Sequence, residues 1–295
     1  MSIDDFCRYL THEKRFSVHT VTAYRNDIAQ FNEYLAAVYG SDDLLNTDHQ
    51  HIRSWLVKLF ESGLKARSIK RKLSTLKSYY RFLRKNKILT IDPTQKVSAP
   101  KIPKKLPVVI DRKTMDALFD ISHKENVFEI VRDYTIVEIL YGTGIRLSEI
   151  IGIKETDTDT VNGTMLVTGK RSKQRIIPLT PHLIKVIEHY RDIKRKEVQN
   201  SSNPDYLIVT KSGRKAYPQL IYRTVHRVLT SVTTQMRRSP HVLRHTFATE
   251  MLNNGAELNA IKELLGHASL AATQVYTHNT VERLKQIYQK AHPKA

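Results

Sequence analysis

Residues 241–276 read HVLRHTFATEMLNNGAELNAIKELLGHASLAATQVY. Leu243, Phe247, Met251 and Leu252, then Leu258, Ile261, Leu264 and Leu265, recur at the spacing of one helix face. Asn253-Asn254-Gly255 separates the two series, so the stretch predicts two helices joined by a short turn. The two helices then carry the polar groups, His241, Arg244 and His267, inward. A short segment after them brings Tyr276 back towards the same place. Packing alone does not call for two imidazoles, a guanidinium and a phenol in one cluster. Gripping, protonating and attacking a phosphate does.

Working outward, the 295-residue chain has 48 Lys+Arg against 29 Asp+Glu, a net charge of +19. Such an excess suits a polyanionic partner, because each neutralised phosphate releases counterions. No apolar run has the roughly 18 residues of a membrane span, and no lipidation signal occurs, so no membrane partner is expected. Met1-Ser-Ile-Asp-Asp lacks the basic and apolar regions of an export signal. Cys7 is the single cysteine, which excludes an intramolecular disulfide and fits a reducing compartment; a cytoplasmic location is expected.

Residues 1–87 predict an all-helical domain of four helices. Their apolar series are Ile3/Phe6/Leu10, Val21/Tyr24/Ile28/Phe31/Leu35, Ile52/Trp55/Leu56/Leu59/Phe60 and Ile69/Leu73/Leu76/Tyr80/Leu83. Ser17 is the expected N-cap of the second helix; Gly40 and Gly63 are expected to stop the second and third. Between 65 and 87 there are ten Lys/Arg, and no carboxylate occurs between Glu61 and Asp92. Lys70, Lys77, Arg81 and Arg84 share the face opposite the leucines. An idle solvated face usually mixes both signs, so this one is expected to contact DNA. Thr75, Ser78 and Tyr79 are expected to add phosphate hydrogen bonds.

Pro93, Pro100, Pro103 and Pro107, interspersed with Lys96, Lys101, Lys104 and Lys105, predict an extended basic linker over 88–107. Lys101 and Lys104 are expected to lie along a nucleic-acid backbone. A second domain, 108–279, follows, with helices over 112–122, 127–141, 181–197 and 219–230. In Tyr141-Gly142-Thr-Gly144-Ile145-Arg146 the glycines permit a tight turn that presents Arg146 at a helix start. Residues 165–167 and 175–179 predict a hairpin around Gly169-Lys170-Arg171-Ser-Lys173, and a further short strand is expected over 206–209. Residues 280–295 predict an amphipathic terminal helix.

Arg146, Lys170, His241-Val-Leu-Arg244, Leu265-Gly266-His267 and Tyr276, in this order and spacing, resemble the tyrosine recombinase (phage integrase) family, most of all its Xer subgroup. The resemblance runs over nearly the whole chain. It implies a mainly α protein with a small β-sheet or hairpin: an all-helical core-binding domain and an α+β catalytic domain. It implies that Tyr276 attacks the scissile phosphorus and that Arg146, Arg244 and His267 hold the non-bridging oxygens. Lys170 then protonates the 5′-oxygen, and His241 assists proton transfer from Tyr276. Arg171 stands where family members often have glycine, so Lys173 is the alternative acid; Arg171 and Lys173 are also expected on DNA. Glu149 is expected either to hold a cation in place or to sit on a helix surface. His241 and His245 are four apart, but Arg244 lies beside them and no glutamate has the zinc-site position. Neither a metal nor any other cofactor is expected.

The implied function is site-specific recombination of double-stranded DNA through a 3′-phosphotyrosyl intermediate, in chromosome or plasmid dimer resolution. The partners implied are DNA, three further protomers on two duplexes (or a paralogue in a heterotetramer) and a DNA translocase as regulator. The terminal helix either packs on its own domain or, as the family suggests, docks into a neighbouring protomer. The alternatives are an integrase or invertase of a mobile element, a type IB topoisomerase, and a DNA-binding protein without catalysis.

Overall fold

The computed structural model describes residues 2–100, 109–122, 126–169, 172–198, 205–232, 238–266 and 278–292. The chain divides into two compact units, Met1–Lys105 and Leu106–Ala295. It is mainly helical, with one small antiparallel sheet.

The first unit holds α1 (Ile3–His12), α2 (Val18–Tyr39), α3 (His49–Glu61) and α4 (Ala66–Lys85). Ser17 caps α2 through the Thr20 amide, and Gly40 ends it in the left-handed region at φ 66°. Phe6, Leu10, Ile28, Phe31, Ile52, Trp55, Leu73, Leu76, Tyr80 and Leu83 form one core, as their periodicity predicts. Two expectations for α4 need correction. Thr75 is fully buried and donates to Asp27 of α2 (Oγ1 to Oδ2, 2.8 Å), and Tyr79 is buried in the core, so neither reaches a phosphate. The start of the proline segment is also not free-running: Val97 is buried against the first unit's core, and Arg53 donates to the Lys96 carbonyl at 3.0 Å.

In the second unit, α5 (Arg112–Ser122) leads to α6 (Phe128–Thr143), which is buried along almost its whole length and forms the axis of the core. Short α7 (Leu147–Ile150) follows. Then β1 (Thr158–Asp159), β2 (Thr164–Thr168) and β3 (Gln174–Pro178) pair in the order β1-β2-β3. The register sets Met165 opposite Ile177 and Val167 opposite Arg175. Helices α8 (Pro181–Glu197), α9 (Pro218–Thr230), α10 (Pro240–Asn253), α11 (Leu258–Leu265) and α12 (His278–Ala291) complete the unit. The strand expected over 206–209 is only two isolated bridges, Lys154 with Tyr206 and Val209 with Lys215. That segment is held by backbone bonds to Ile153, Glu155 and Ala216 and by Lys194, whose Nζ donates to the carbonyls of Tyr206 (2.6 Å) and Leu207 (3.3 Å).

Helix α12 rests on its own domain. Leu284, Tyr288 and Ala291 pack with Phe247, Met251 and Leu264. The Tyr288 hydroxyl donates to the Gly142 carbonyl at 2.5 Å, and Asn254 donates to the Ala291 carbonyl at 2.8 Å. Among the described residues no helix is long and apolar enough to cross a membrane.

Candidate active site

Residues 240–265 form the two expected helices, α10 and α11, broken at 254–257. Pro240 opens α10, Val242, Leu243, Phe247 and Met251 turn into the core, and His241 and Arg244 lie on the other side one turn apart. Thr246 ties α10 to the entry of the domain by accepting from the Ile110 amide at 3.1 Å. Helix α6 ends at Gly144, whose φ of 62° reverses the chain. Two residues later Arg146 caps α7, its amide donating to Glu149 Oε2 at 2.8 Å.

These segments converge on the C-terminal end of α11, where Gly266 (φ 64°) closes the helix. The last carbonyls of a helix have no intrahelical partner and carry the negative end of its dipole. Here three consecutive ones are each taken by a different arginine. The Leu264 carbonyl accepts from Arg175 Nε of β3 at 2.7 Å, and the Leu265 carbonyl from Arg244 Nη2 of α10 at 2.8 Å. The Gly266 carbonyl accepts from Arg146 Nη2 at 3.3 Å. Arg244 also donates through Nη1 to the Gly144 carbonyl at 2.6 Å. Glu149 is the carboxylate that joins Arg146 (Nη1 to Oε1, 2.9 Å) and Arg175 (Nη1 to Oε1, 3.1 Å; Nη2 to Oε2, 2.8 Å).

Among the described residues the cluster therefore holds three guanidiniums against one carboxylate. Helix-end dipoles and one buried ion offset only part of that charge. Burial, and then the charge of Arg146, push the Arg244 guanidinium down to about 10. Burial works to raise Glu149, but the bonds and charge of Arg175 and then of Arg146 outweigh it, leaving Glu149 below the usual carboxylate range. Such a site has positive charge to spare for an anion. Arg146 (side chain about a third exposed) and Arg244 have donors left over to meet it, whereas Arg175 is buried with every nitrogen engaged.

Of the residues picked out from sequence, Arg146 and Arg244 are brought together, and His241 stands exposed on the first turn of α10. Lys173 is exposed, its carbonyl closing the hairpin by accepting from the Gly169 amide at 2.7 Å. Lys170, Arg171, His267 and Tyr276, with Lys101 and Lys104 of the linker, lie outside the described residues. On α4, Lys70, Arg81 and Arg84 are exposed and Lys77 is partly so; none of the four pairs with a carboxylate among the described residues. Arg71 and Lys72 are different, for both bind buried Asp27.

Two features of this region are not evident from sequence motifs. Arg175 has the same strand parity as Ile177, an inward position, and that alternation was the signal available. The other is α9, whose exposed face carries Gln219, Tyr222, Arg223 and His226. A shallow hollow of about 380 Å³ beside it is lined by Pro218, Gln219, Tyr222, Arg223 and Leu147, the last of which is next in sequence to Arg146. Residues 206–249 contain eight Lys/Arg and no carboxylate, a second acid-free stretch like that of α4.

Gly144 shows how tightly the cluster is assembled. A Cβ there lies 2.5 Å from Phe247 Cδ1 and 2.9 Å from Leu265 Cδ2, on a backbone that disfavours L side chains. Gly144→Ala is expected to cost about 3 kcal/mol. The thermal midpoint should fall by roughly 6–12 °C, measured by circular dichroism.

The fold, the arginine cluster and the comparisons agree: the chain belongs to the phage integrase family and is a tyrosine recombinase. Residues 109–283 match the Phage integrase family, and residues 3–87 match its N-terminal SAM-like domain. The chain is 37% identical to Tyrosine recombinase XerC of Chlorobaculum tepidum, over 99% of this chain and 94% of that protein. It is 34% identical to Tyrosine recombinase XerD of Yersinia pestis, over 99% and 97% respectively. The crystal structure of XerH site-specific recombinase bound to difH substrate shares the fold, with a TM-score of 0.70 at 23% identity over 96% of this chain and 82% of that one. These relatives make the chain an Xer-type site-specific recombinase.

Proposed function

We propose that Arg146 and Arg244 grip the scissile phosphate of a DNA strand while Tyr276 attacks it. The Tyr276 Oη–phosphorus bond forms and the bond from phosphorus to the 5′-oxygen breaks. The phenol proton passes through His241, and Lys170 protonates the departing 5′-oxygen. His267 adds a hydrogen bond to a non-bridging oxygen. The 3′-phosphotyrosyl ester keeps the energy of the broken link, so a 5′-hydroxyl from another strand reverses the step without an outside energy source. No metal or other cofactor takes part in this scheme. The observation that carries the reading is the surplus of positive charge at the end of α11, with two guanidiniums in fixed orientation and donors to spare. Donors preset for charge that gathers in the transition state lower the barrier most.

Lys70, Lys77, Arg81 and Arg84 of α4 form the phosphate-contacting face of the first unit, and Lys101, Lys104, Arg171 and Lys173 extend the contact. Gln219, Tyr222 and Arg223 of α9, close in the fold to Arg146, face the bases next to the cleaved phosphate. The working particle is a tetramer on two duplexes, of one chain or shared with a paralogue. In it, α12 leaves the pocket lined by Phe247 and Met251, and a neighbour's helix fills it. The biological task is resolution of chromosome or plasmid dimers in the cytoplasm during chromosome segregation, under a DNA translocase; integration or inversion of a mobile element uses the same chemistry.

The test is to trap covalent protein–DNA complexes on cellular DNA and sequence the attached fragments. One short recurring site with 3′-linked protein is the expected result; scattered sites point to a topoisomerase, and no adduct refutes catalysis. For the first unit, neutralising Lys70, Lys77 and Arg81 together is expected to lower the slope of log affinity against log salt by roughly one unit per lost contact. An unchanged slope in filter binding means that face is idle.

A further inference from the structure

We infer that Arg175 is a positioning residue for strand cleavage: it seats Glu149 and the end of α11, and through them Arg146 and the segments that lead into Lys170 and His267. This rests on the reaction proposed above and adds to it a residue that does not touch DNA.

Arg175 is 5% exposed, and all three nitrogens of its guanidinium are engaged within the protein. It spans three separate pieces of chain. It sits on β3 itself, it holds both oxygens of Glu149 on α7, and it holds the Leu264 carbonyl on α11. The carboxylate it clamps is the one that receives both the backbone amide and Nη1 of Arg146. The orientation of Arg146 is thus fixed at second hand.

Two glycines add an independent observation. A Cβ on Gly266 comes within 3.1 Å of Arg175 Nη1, and one on Gly169 within 3.3 Å of Glu149 Oε1 and 3.7 Å of Arg175 Nη1. Gly169 immediately precedes Lys170, and Gly266 immediately precedes His267. The backbones entering both catalytic segments therefore lie directly on the Arg175–Glu149 pair, with little or no space for a side chain between. A buried ion pair of this kind is a poor source of stability, since an apolar pair of equal volume generally holds a fold as well or better. What it supplies is direction: planar two-point contact that an aliphatic side chain cannot give.

The experiment uses full-length protein and a nicked suicide duplex built on the DNA fragment recovered from the adducts. Three quantities are measured for wild type, Arg175→Gln and Arg175→Lys: adduct formation at saturating DNA, DNA affinity, and the pH dependence of the rate. Both variants are expected to form adduct about 100-fold more slowly, the effect of an ångström-scale misplacement. Affinity should change less than about threefold, because Arg175 does not reach the DNA. In Arg175→Gln, Glu149 keeps its burial and loses its strongest cationic partner, so it takes up a proton at higher pH than in wild type. Arg146 on α7 and Arg244 on α10 are the charged groups still facing it among the described residues. The rate of that variant relative to wild type should fall as pH drops. Arg175→Lys keeps the charge and should remove the acid limb while leaving the rate low, because one ammonium cannot hold two carboxylate oxygens and a carbonyl in plane. If Arg175→Gln does not fold, Arg175→Lys decides through rate against affinity. Wild-type rates in the folded variants, or equal losses of rate and affinity, overturn the positioning role. A wild-type chain that forms no adduct refutes the reaction itself.

Discussion

Tyr276→Phe is expected to bind duplex DNA with unchanged affinity and to form no covalent adduct on a denaturing gel. The substitution deletes one oxygen, the atom proposed to attack phosphorus, and leaves the arginine cluster as it is. Without a nucleophile the reaction has no first step, so the loss should be complete within detection, a factor of at least about 10⁴. A persisting adduct would move the nucleophile to another of the 14 tyrosines. Several are poor choices. Burial raises the phenol pKa of Tyr80, Tyr141, Tyr190 and Tyr288, each fully enclosed, and a buried hydroxyl cannot meet a phosphate.

Arg244→Ala is expected to lower the cleavage rate by roughly 10³-fold or more, about 4 kcal/mol of transition-state stabilisation, with only a modest loss of binding. Two effects combine. The guanidinium facing the phosphate is gone, and the Gly144 and Leu265 carbonyls lose the donor that ties α6 to α11. Arg244→Lys should recover little, since a lysine cannot serve two carbonyls and a phosphate at once. The pH dependence provides a second check. Burial and Arg146 hold Arg244 down to about 10, so it remains charged at neutral pH and begins to lose its proton as pH approaches that value. Affinity for a short duplex should therefore weaken on the alkaline side earlier than an ordinary arginine would allow. A bound phosphate pushes the pKa back up, so the limb should be seen in binding before it is seen in the rate of the complex. Single-turnover cleavage and fluorescence anisotropy over the same pH series separate the two.

The surroundings of Arg146, His241 and Arg244 are legible in the sequence where the information is local. Gly142-Thr-Gly144 ends a helix and starts another, which places Arg146 at a cap by backbone geometry alone. Pro240 and the spacing of Val242, Leu243 and Phe247 orient α10, and with it His241 and Arg244. The four helices of the first unit, the Ser17 cap and the Gly40 stop follow from 3.6-residue periodicity and terminal chemistry in the same way. Reading failed where a residue's role depends on a partner distant in sequence. Thr75 and Tyr79 are polar residues among lysines and suggested phosphate contacts; Asp27, far back on α2, and the aromatic core claimed them instead. The strand expected over 206–209 is shared between two neighbours, one bridge to Lys154 and one to Lys215, so no continuous ladder forms along its length.

By itself, then, the order of residues determined the helices, the hairpin and the basic face of α4, because propensity, capping and side-chain chemistry act over a few residues; it also supplies the groups we propose for phosphoryl transfer. Only the tertiary structure decided what aims them. Three guanidiniums from three elements are held by successive carbonyls at the end of α11, with Glu149 between two of them. Carbonyls are the same in every sequence, and which of them are left without a partner, and what comes near, is settled when the chain has packed.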